Sequence, residues 1–518
     1  MYAQLKGFTI LGIEGYPLLI EIDIASGLPY FQIVGLPDSA IREAKDRVRS
    51  AISNSGFKFP LNRITINLAP ANLKKEGTSF DLAIGIGLLL ASQLIKVQPS
   101  LDISKILFIA ELSLDGTLQP VTGILPVMIA ALNCGIEKVI VAKENYREAV
   151  IIKELDILDF DNLRNVIKYL ESGEHANIDN KAAEGEIIEL QPKDDFIDVK
   201  GQQQAKRVIE IAAAGMHNLL LVGPPGSGKS MLAKRIPTIT PDLSFAEQLE
   251  VTKIYSVAGL LKHKASLIKS RPFRSPHHTI STIGLIGGGS IPRPGEISLA
   301  HRGILFLDEL PEFNRLVLEG LRQPIEDGEV HISRARAAYQ YPSKFMLVGA
   351  MNPCKCGFYG TDIPNRGCIC TLPEVMRYRN RLSGPLIDRF DLHIEIPWTD
   401  FEKIRDGKAG RSSAQMKETV FRAINMQLKR FEDSGITFNS EMTPKLVKSV
   451  CKLDSESELL LKKTFNHYGF SGRSLDRILK VSRTIADIEN SEQIKPEHLA
   501  EALNYRVLDS KKDTGGLE

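Results

Sequence analysis

Residues 218–230 carry the strongest chemical signal in this chain. Their sequence, NLLLVGPPGSGKS, is an apolar strand-like run, a glycine-rich turn, and then Lys229 and Ser230 at the start of the helix-like run MLAKRI. This is the G-x-x-x-x-G-K-[ST] pattern in the strand–loop–helix setting that it requires. Backbone N–H groups of such a turn converge on phosphate oxygens, and the helix N-terminus adds the positive end of its dipole. The pattern therefore predicts a binding site for a nucleoside triphosphate.

Two side chains of this turn have separate predicted roles. Lys229 is expected to reach the β- and γ-phosphates of ATP, and Ser230 is expected to ligate Mg²⁺. The residues predicted to contact the nucleotide are consecutive in the chain, and they are Gly223, Pro224, Pro225, Gly226, Ser227, Gly228, Lys229 and Ser230.

Two further strand-like segments end in polar residues. GILFLDEL places Asp308 and Glu309 at the carboxyl end of an apolar run, where open α/β sheets bind ligands. Asp308 is predicted to complete the Mg²⁺ site, and Glu309 to act as the base that orients the attacking water. FMLVGAMN ends at Asn352, which would lie beside the γ-phosphate if its strand lay between the other two. An asparagine that only forms a turn before Pro353 is the alternative interpretation.

The order of these segments, followed by LIDRFD, resembles the AAA+ ATPases. That resemblance implies that Arg389 is an arginine finger, which reaches the site of a neighbouring subunit and stabilises charge on the transferred phosphoryl group. SGRSLDRILKVSRTIAD resembles the lid helix that carries the second sensor, with Arg473 as the best match and Arg477 as the reserve. A charge on a solvated helix face is the alternative interpretation of each arginine.

Longer blocks narrow the resemblance to one branch of that superfamily. NLAPANLKKEGTSFDLAIG, RPFRSPHHTIS, PRPGEISLAHRGILFLDELPEF and LRQPIEDGEVHISRARA resemble the magnesium-chelatase-like AAA+ family of the ComM/YifB type, over about Gly7 to Asn504. The resemblance implies a hexameric helicase that hydrolyses ATP to drive branch migration of recombination DNA. A magnesium-chelatase-type motor subunit that acts on a protein partner is the alternative. The length of the chain before the P-loop is taken as an argument against that alternative.

The pattern of apolar runs along the chain predicts an α/β fold in several parts. Strand-like and helix-like runs alternate over residues 1–170, a polar stretch over 171–192 suggests a linker, and a second α/β block covers 193–400. Residues 401–510 are mostly helical in pattern, and 511–518 form a polar tail. By resemblance these are an N-terminal Lon-protease-like α/β domain, a central AAA+ P-loop α/β domain with a cysteine-rich insertion at 353–371, and a C-terminal helical lid.

The Lon-like resemblance also bears on peptidase activity. KKEGTSFDLAIG sets Ser79 where that family has its nucleophile, but the position that matches the partner lysine is Val127. A serine without a nearby amine or other base is not activated. The sequence therefore predicts no catalytic dyad, although Lys74 or Lys75 offers a substitute, and the domain is interpreted as a docking or DNA-handling module.

A basic segment precedes and follows Asn352. Between Val330 and Arg389 there are nine Lys/Arg and three Asp/Glu, a local net charge of +6 against +2 for the whole chain. HISRARAAYQYPSKF is typical of a hairpin with Arg334 and Arg336 near its tip. By resemblance that hairpin faces the channel of a ring, where basic side chains would track DNA phosphates. A solvated hairpin or a subunit contact is the alternative.

Cysteine and histidine clusters raise the question of a further metal. Two C-x-C pairs separated by eleven residues, Cys354, Cys356, Cys368 and Cys370, suit a tetrahedral Zn²⁺ site, although the spacing departs from the commoner C-x₂₋₄-C. Free thiols or a redox-responsive pair remain alternatives. Adjacent His277 and His278 would point to opposite faces of a strand, which disfavours a shared ion. Structural or DNA-contact roles are favoured for them.

The bulk composition fits a soluble globular protein. Hydrophobic residues make up 43% and charged residues 25% of 518. The N-terminus lacks a basic and then apolar leader, and the run LAIGIGLLLASQLI at 82–95 is too short to span a bilayer, which favours a buried helix. The protein is therefore expected in the cytoplasm and away from membranes.

Overall fold

The computed structural model describes most of the chain with side chains. The described residues are 1–175, 186–188, 194–261, 265–289, 292–334, 337–361, 363, 366–398, 410–468 and 470–506. Among them, no helix combines the length and the apolar character that crossing a membrane requires.

The first third of the chain alternates strands and helices. Its elements are β1 (Tyr2–Leu11), β2 (Glu14–Ala25), β3 (Tyr30–Val34), α1 (Ser39–Asn54), β4 (Arg63–Ala69), α2 (Asp81–Ala91), β5 (Ile106–Ile109), β6 (Glu111–Leu112), β7 (Leu118–Gln119), α3 (Ile124–Asn133), β8 (Lys138–Ala142), α4 (Tyr146–Ala149), β9 (Asp156–Phe160) and α5 (Leu163–Ser172).

Two sheets and the helix α2 build the core of this part. One sheet has the order β1-β2-β4-β3, in which only β3 and β4 run parallel, and the other is the parallel sheet β5-β8-β9. Helix α2 is apolar all round and ten of its eleven residues are buried, as its sequence predicts. It packs against the inward face of β2, where Ile20 and Ile22 are fully buried.

The predicted linker, 171–192, lies only partly within the described residues. Helix α5 continues to Ser172, and β10 (Glu186–Ile188) forms a short parallel pair with β12 (Ala265–Ile268). That pair ties the described part of the segment to the block that follows.

The middle of the chain holds the candidate nucleotide site. Its remaining elements are α6 (Gln203–Gly215), β11 (Leu219–Val222), α7 (Lys229–Arg235), α8 (Phe245–Val257), β13 (Phe273–Arg274), α9 (Thr282–Ile286), β14 (Gly287–Gly288), β15 (Arg293–Pro294), α10 (Glu296–Leu299), β16 (Ile304–Leu307), α11 (Arg315–Gly320), α12 (Arg322–Asp327), β17 (Glu329–Arg334), β18 (Ala337–Pro342), β19 (Met346–Met351), α13 (Leu372–Arg379), α14 (Gly384–Ile387) and β20 (Leu392–Glu395).

Five of these strands form one parallel sheet in the order β13-β16-β19-β11-β20. The three central strands are buried on both faces, which explains why their sequences are uninterrupted apolar runs. Strand β19 lies between β16 and β11, the arrangement that the catalytic interpretation of Asn352 requires. Because parallel strands end at the same edge, the residues that follow these three strands are neighbours.

Among the described residues after the sheet there are five α-helices: α15 (Ser413–Arg430), α16 (Pro444–Val450), α17 (Ser455–Tyr468), α18 (Gly472–Ile488) and α19 (Pro496–Asn504). The apolar face of α18, with Ile478, Val481 and Ile485, joins the same core as α6 and one face of the sheet. This helical region is therefore packed onto the α/β block. Its role as a lid stays a prediction.

Helix α8 is where the first third of the chain contacts the α/β block. Lys253 forms an ion pair with Glu14 at 2.6 Å, and the backbone N–H of Gly123 donates to the carbonyl of Ser256 at 3.2 Å. Glu148 Oε1 accepts from the Ser256 hydroxyl and, at 2.9 Å, from the backbone N–H of Leu125. Burial raises the pKa of Glu148 because desolvation disfavours its charged form.

This carboxyl predicts a pH-dependent stability. The folded-state pKa lies above the ordinary value of 4.5, so the folded protein binds more protons than the unfolded chain between the two values. The free energy of unfolding therefore falls as pH rises through that interval. Glu148→Gln replaces the carboxyl by an amide that stays neutral, so this part of the free energy of unfolding no longer falls with pH. The substitution is expected to raise Tm at pH 8 by about 1–3 °C, and this increase in Tm should shrink toward pH 4.5.

Scanning calorimetry across pH 4.5–8 measures this effect. The exposed Glu144 on the same segment provides the matched control, and Glu144→Gln should leave Tm unchanged. A Glu148→Gln protein that is less stable than the wild type at every pH would contradict the prediction.

Candidate functional site

The phosphate loop takes its shape from two glycines. A Cβ at Gly223 would lie 2.5 Å from the carbonyl oxygen of Ile396, so the close approach of β20 leaves no room for a side chain there. Gly228 has φ +85°, a left-handed conformation that disfavours other residues, and it directly precedes α7. The loop therefore turns sharply from the end of β11 into a helix N-terminus.

Lys229 lies at the centre of this loop. Its ammonium group donates to the carbonyl oxygens of Gly223 at 2.7 Å and Pro224 at 2.9 Å, and to Oδ1 of Asn352 at 3.2 Å. The lysine is buried, and desolvation lowers its pKa, while the nearby carboxylates of Asp308 and Glu309 oppose that shift. A buried cation held by neutral oxygens is well placed to bind an anion such as phosphate.

The carboxylates that follow β16 face the same loop. Asp308 Oδ2 accepts from the Ser230 hydroxyl at 2.5 Å, and its Oδ1 accepts from the backbone N–H of Glu309 at 2.9 Å. A hydroxyl and a carboxylate at this distance provide two adjacent oxygen ligands of the kind that Mg²⁺ prefers. The structure thus brings Lys229 and Ser230 together with Asp308 and Asn352, which are far from them in sequence.

Glu309 differs from its neighbours in conformation and exposure. Its φ is +51°, a left-handed backbone that costs a non-glycine residue about 1–2 kcal/mol. Its side chain is 58% exposed, and Oε2 lies 3.4 Å from Nδ1 of His278. Strain of this kind is concentrated at functional sites.

The segment RSPHHTISTIGLIGGGS is predicted to form a loop insertion ahead of the strand that ends at Asp308, and its paired histidines do lie in a loop. They follow β13 in a loop, and the His277 and His278 rings lie side by side with centroids 4.1 Å apart. His278 is the ring that meets Glu309. The sequence did not predict this contact, because the spacing of HH and DE in the chain carries no sign that the two loops meet.

Gln202 is a second contact that the motif does not reveal. It precedes α6, and its Nε2 donates at 2.8 Å to the carbonyl oxygen of Ser227 in the phosphate loop. A single glutamine before a helix has no distinctive pattern. Only the fold brings it to the loop.

Arg389 lies away from the phosphate loop of its own chain. Its guanidinium is buried, with Nη2 2.7 Å from Oε1 of Glu326, and it also donates to the carbonyl oxygens of Arg322 and Pro385. Arg473 Nη1 lies 3.4 Å from the same glutamate oxygen and its side chain is 68% exposed. The structure therefore brings Arg389 and Arg473 together on one carboxylate.

Hydrogen bonds to Asn218 place Arg389 at one edge of the central sheet. Asn218 precedes β11, and it donates from Nδ2 to the carbonyl oxygen of Arg389 and from its backbone N–H to Asp391, both at 2.9 Å. Arg389 thus lies at the amino edge of the sheet, whereas the phosphate loop follows the carboxyl edge. A four-residue strand separates the two edges by about 13 Å.

Arg477, the reserve match for the second sensor, is also at the amino edge. Its Nε lies 3.3 Å from Oδ1 of Asp391, and desolvation lowers its pKa. Asp391 is itself held by Asn218 and by His217, so this arginine is part of an internal ion-pair network. The exposed Arg473 is the more accessible of the two.

The predicted hairpin is present as the antiparallel pair β17–β18. Arg334 is the last residue of β17, whereas Arg336 lies outside the described residues. The excess of Lys and Arg between Val330 and Arg389 is not gathered on one surface. The guanidinium of Arg379 packs over the Tyr359 ring at 5.3 Å, while Arg381 is exposed and paired with Glu312.

Ser79 and Val127 line one cavity, of about 360 Å³, between the first third of the chain and the α/β block. Neither neighbouring lysine is turned toward the Ser79 hydroxyl by its hydrogen bonds. Lys75 is fully buried and donates to the carbonyl oxygens of Gly35 and Pro70, and Lys74 is paired with Glu76 at 2.5 Å. The absence of a base for Ser79 stays a prediction.

The four clustered cysteines converge. The Sγ atom of Cys354 lies 3.3 Å from that of Cys356 and 3.7 Å from that of Cys368, and the latter two are 3.5 Å apart. All four Sγ atoms, including that of Cys370, lie within 4.8 Å of one another, and none forms a disulfide.

Three families match consecutive parts of the chain. Residues 195–404 match the family described as magnesium chelatase, subunit ChlI; residues 410–506 match its C-terminal family; and residues 20–145 match the family described as subunit ChlI of Mg-chelatase. Because the last match falls before the phosphate loop, the length of the N-terminal region does not by itself exclude a chelatase role.

Identity and coverage differ between the ComM/YifB relatives and the chelatase subunits. The chain is 44% identical over 504 residues to "Competence protein ComM" of Haemophilus influenzae and 46% identical over 500 residues to YifB of Escherichia coli, in each case over 96% of both chains. It is 23% identical over 176 residues to the magnesium-chelatase 38 kDa subunit of Rhodobacter capsulatus, which covers 30% of this chain and 50% of that one.

Proposed function

Since the chain belongs to the magnesium-chelatase-like AAA+ family of the ComM/YifB type, we propose that it is an ATPase that drives helicase or branch-migration work on recombination DNA. The observation that carries the ATPase part is the convergence of Lys229, Ser230, Asp308 and Asn352 at one edge of the parallel sheet. ATP is the substrate and Mg²⁺ the metal of this proposal.

Each residue at this edge has one role in hydrolysis. Lys229 neutralises charge on the β- and γ-phosphate oxygens, and Ser230 and Asp308 hold Mg²⁺, which supplies further charge neutralisation. Asn352, bonded to Lys229, orients the water that attacks the γ-phosphate. Glu309 accepts the proton of that water once its carboxylate turns from His278 toward the site.

The location of Arg389 supports a site shared between subunits. This arginine and Arg473 meet on Glu326 at the amino edge, about 13 Å from the edge that holds the phosphate loop of the same chain. A residue there does not contact the nucleotide site of its own chain, which supports action on an adjacent copy once its guanidinium leaves Glu326. The proposed assembly is therefore a homo-oligomer, and the family resemblance indicates a hexamer.

DNA as the partner is supported by the similarity to ComM and by the β17–β18 hairpin, whose sequence carries Arg334 and Arg336. Chelatase-type work on a protein partner is the second candidate, because the family descriptions name that complex. The magnesium-chelatase 38 kDa subunit of Rhodobacter capsulatus and 67 kDa subunit of Chlorobaculum parvum each match 30% of this chain, whereas ComM matches 96% of it, which favours DNA.

A direct test compares ATP hydrolysis with different DNA structures. Forked or four-way DNA is expected to increase the ATPase rate about tenfold at low salt, and the affinity for that DNA should fall steeply as salt rises because phosphate contacts release counterions. Lys229→Ala protein serves as the control for contaminating ATPases. Absence of stimulation by any DNA at low salt would contradict the DNA part of the proposal and leave the ATPase part standing.

The proposal includes Zn²⁺ at the four cysteines. In a tetrahedral tetrathiolate site with Zn–S bonds of about 2.3 Å, sulfur atoms are about 3.8 Å apart. The measured separations of 3.3–3.7 Å among Cys354, Cys356 and Cys368 fit that geometry. Such a site closes a loop of seventeen residues, counted from Cys354 to Cys370.

A further inference from the structure

The cysteine loop approaches the phosphate loop closely at Gly357. A Cβ added to Gly357 would lie 2.6 Å from Cδ and 3.0 Å from Cγ of Pro225, so the two loops are in van der Waals contact at this point. Gly357 lies between two ligating cysteines in sequence, one residue after Cys356. A displacement of the cysteine cluster is therefore expected to shift the Gly357 backbone that contacts the Pro225 ring.

A second connection passes through the backbone at Asn352. This residue bonds to Lys229, and Pro353 and Cys354 follow it directly. The carbonyl oxygen of Pro353 accepts from Arg379 Nε at 3.2 Å, and Cys354 is fully buried. The first metal ligand is thus two residues from the side chain that contacts the catalytic lysine.

We propose that metal bound by Cys354, Cys356, Cys368 and Cys370 holds Gly357 against Pro225 and Asn352 against Lys229, so that affinity for ATP depends on metal loading. The inference rests on the proposed ATPase function and assigns the cysteine loop a positioning role in it. Zn²⁺ is the metal of choice because four thiolates in a tetrahedral arrangement favour it over Mg²⁺ or Ca²⁺.

The physical reason is the cross-link that a central ion would provide. Four ligand bonds to one ion join both ends of the loop, and removing them returns conformational freedom to its residues. Gly357 has no side chain with which to strengthen its contact with Pro225. Active sites are sensitive to small displacements, since a shift of about 1 Å in a positioning residue can change the reaction rate about a hundredfold.

Metal content gives a readout that is independent of ATP. Full-length protein purified without chelator is expected to contain about one zinc per chain by mass spectrometry of the digested protein. Replacement with Co²⁺ should give the thiolate charge-transfer absorption of a tetrahedral sulfur site. The Cys356→Ser/Cys368→Ser protein should lose both signals, while Cys134→Ser, a change outside the cluster, should retain them.

Nucleotide affinity tests the coupling. Zinc-depleted protein, returned to buffer with excess Mg²⁺, is expected to bind a fluorescent ATP analogue about tenfold more weakly than the loaded protein, and added zinc should restore the affinity. Circular dichroism checks that the depleted protein remains folded. Equal affinity of folded, depleted and loaded protein would overturn the coupling.

Two glycines of the same loop allow the contact to be tested with the metal in place. Gly357 and Gly360 both have positive φ, +91° and +70°, so alanine is unfavourable in backbone conformation at both positions. A Cβ at Gly360 meets nothing within 4 Å, whereas one at Gly357 meets Pro225. Gly357→Ala is expected to keep its zinc and bind ATP more weakly, and Gly360→Ala to keep both zinc and affinity.

The outcomes separate this inference from the proposed function. Loaded wild-type protein that binds no ATP would remove the function itself, whatever its metal content. Protein that binds ATP but purifies without metal, with its cysteines free or paired in disulfides, would overturn the metal site. Equal affinities of the Gly357→Ala and Gly360→Ala proteins would overturn the role of the contact with Pro225.

Discussion

Glu309→Gln protein is expected to bind ATP as tightly as the wild type and to hydrolyse it at least about a hundredfold more slowly. The amide keeps the size of the side chain but cannot accept the proton of the attacking water. Ground-state binding is preserved because Lys229, Ser230 and Asp308 are unchanged, and none of their hydrogen bonds involves the Glu309 carboxylate. The measurement pairs equilibrium nucleotide binding with single-turnover hydrolysis.

Two comparisons make that result specific. Lys229→Ala should weaken ATP binding itself, by about tenfold to a hundredfold, because charge-assisted hydrogen bonds to phosphate are lost. Glu312→Gln, a nearby exposed change that breaks only a surface pair with Arg381, should leave both binding and turnover intact. A Glu309→Gln protein with a normal turnover rate would show that another group is the base.

Arg389→Ala is expected to lower turnover about a thousandfold, as removal of an arginine finger does. The arginine is at the amino edge of the sheet and the phosphate loop is at the carboxyl edge, so its effect should be on a neighbouring subunit. Subunits that carry Arg389→Ala still offer an intact Glu309, and subunits that carry Glu309→Gln still offer an intact arginine. Mixing the two inactive proteins should therefore restore part of the activity.

The mixing experiment has its own control. Arg422→Ala changes an exposed arginine on α15 and should neither lower turnover nor affect complementation. Because Arg389 is also bonded to Glu326 within its chain, thermal stability of each variant is measured alongside. Folded single variants that never complement would contradict a shared site and favour a structural role for this arginine.

The phosphate site was the most predictable part of the molecule. Its motif is local, and the burial of β11, β16 and β19 on both faces produces the apolar runs from which the strands were recognised. The same logic identified α2 as a buried helix. Strand β4, RITINLA, was also predicted, because its buried residues alternate.

Elements without a local pattern were missed. Strand β13 has only two residues, and β20 reads LHIE, which is not an uninterrupted apolar run like those of β11 and β16. These two strands nevertheless form both edges of the central sheet. The contacts of His278 with Glu309 and of Gln202 with the phosphate loop join segments whose sequences give no sign of each other. Nor does a motif reveal at which edge of the sheet an arginine lies, which is the fact that bears most on Arg389.

The separation of Arg389 from the phosphate loop gives the chain a head and a tail. When one surface of a molecule completes a different surface of the next copy, the contact is heterologous, and no two-fold axis relates the partners. Repetition of such a contact closes into a ring if the rotation per copy divides a full turn, and otherwise it continues as a helical filament. The rotation set by this interface therefore decides whether every bound nucleotide has a donor or whether one terminal copy always lacks it.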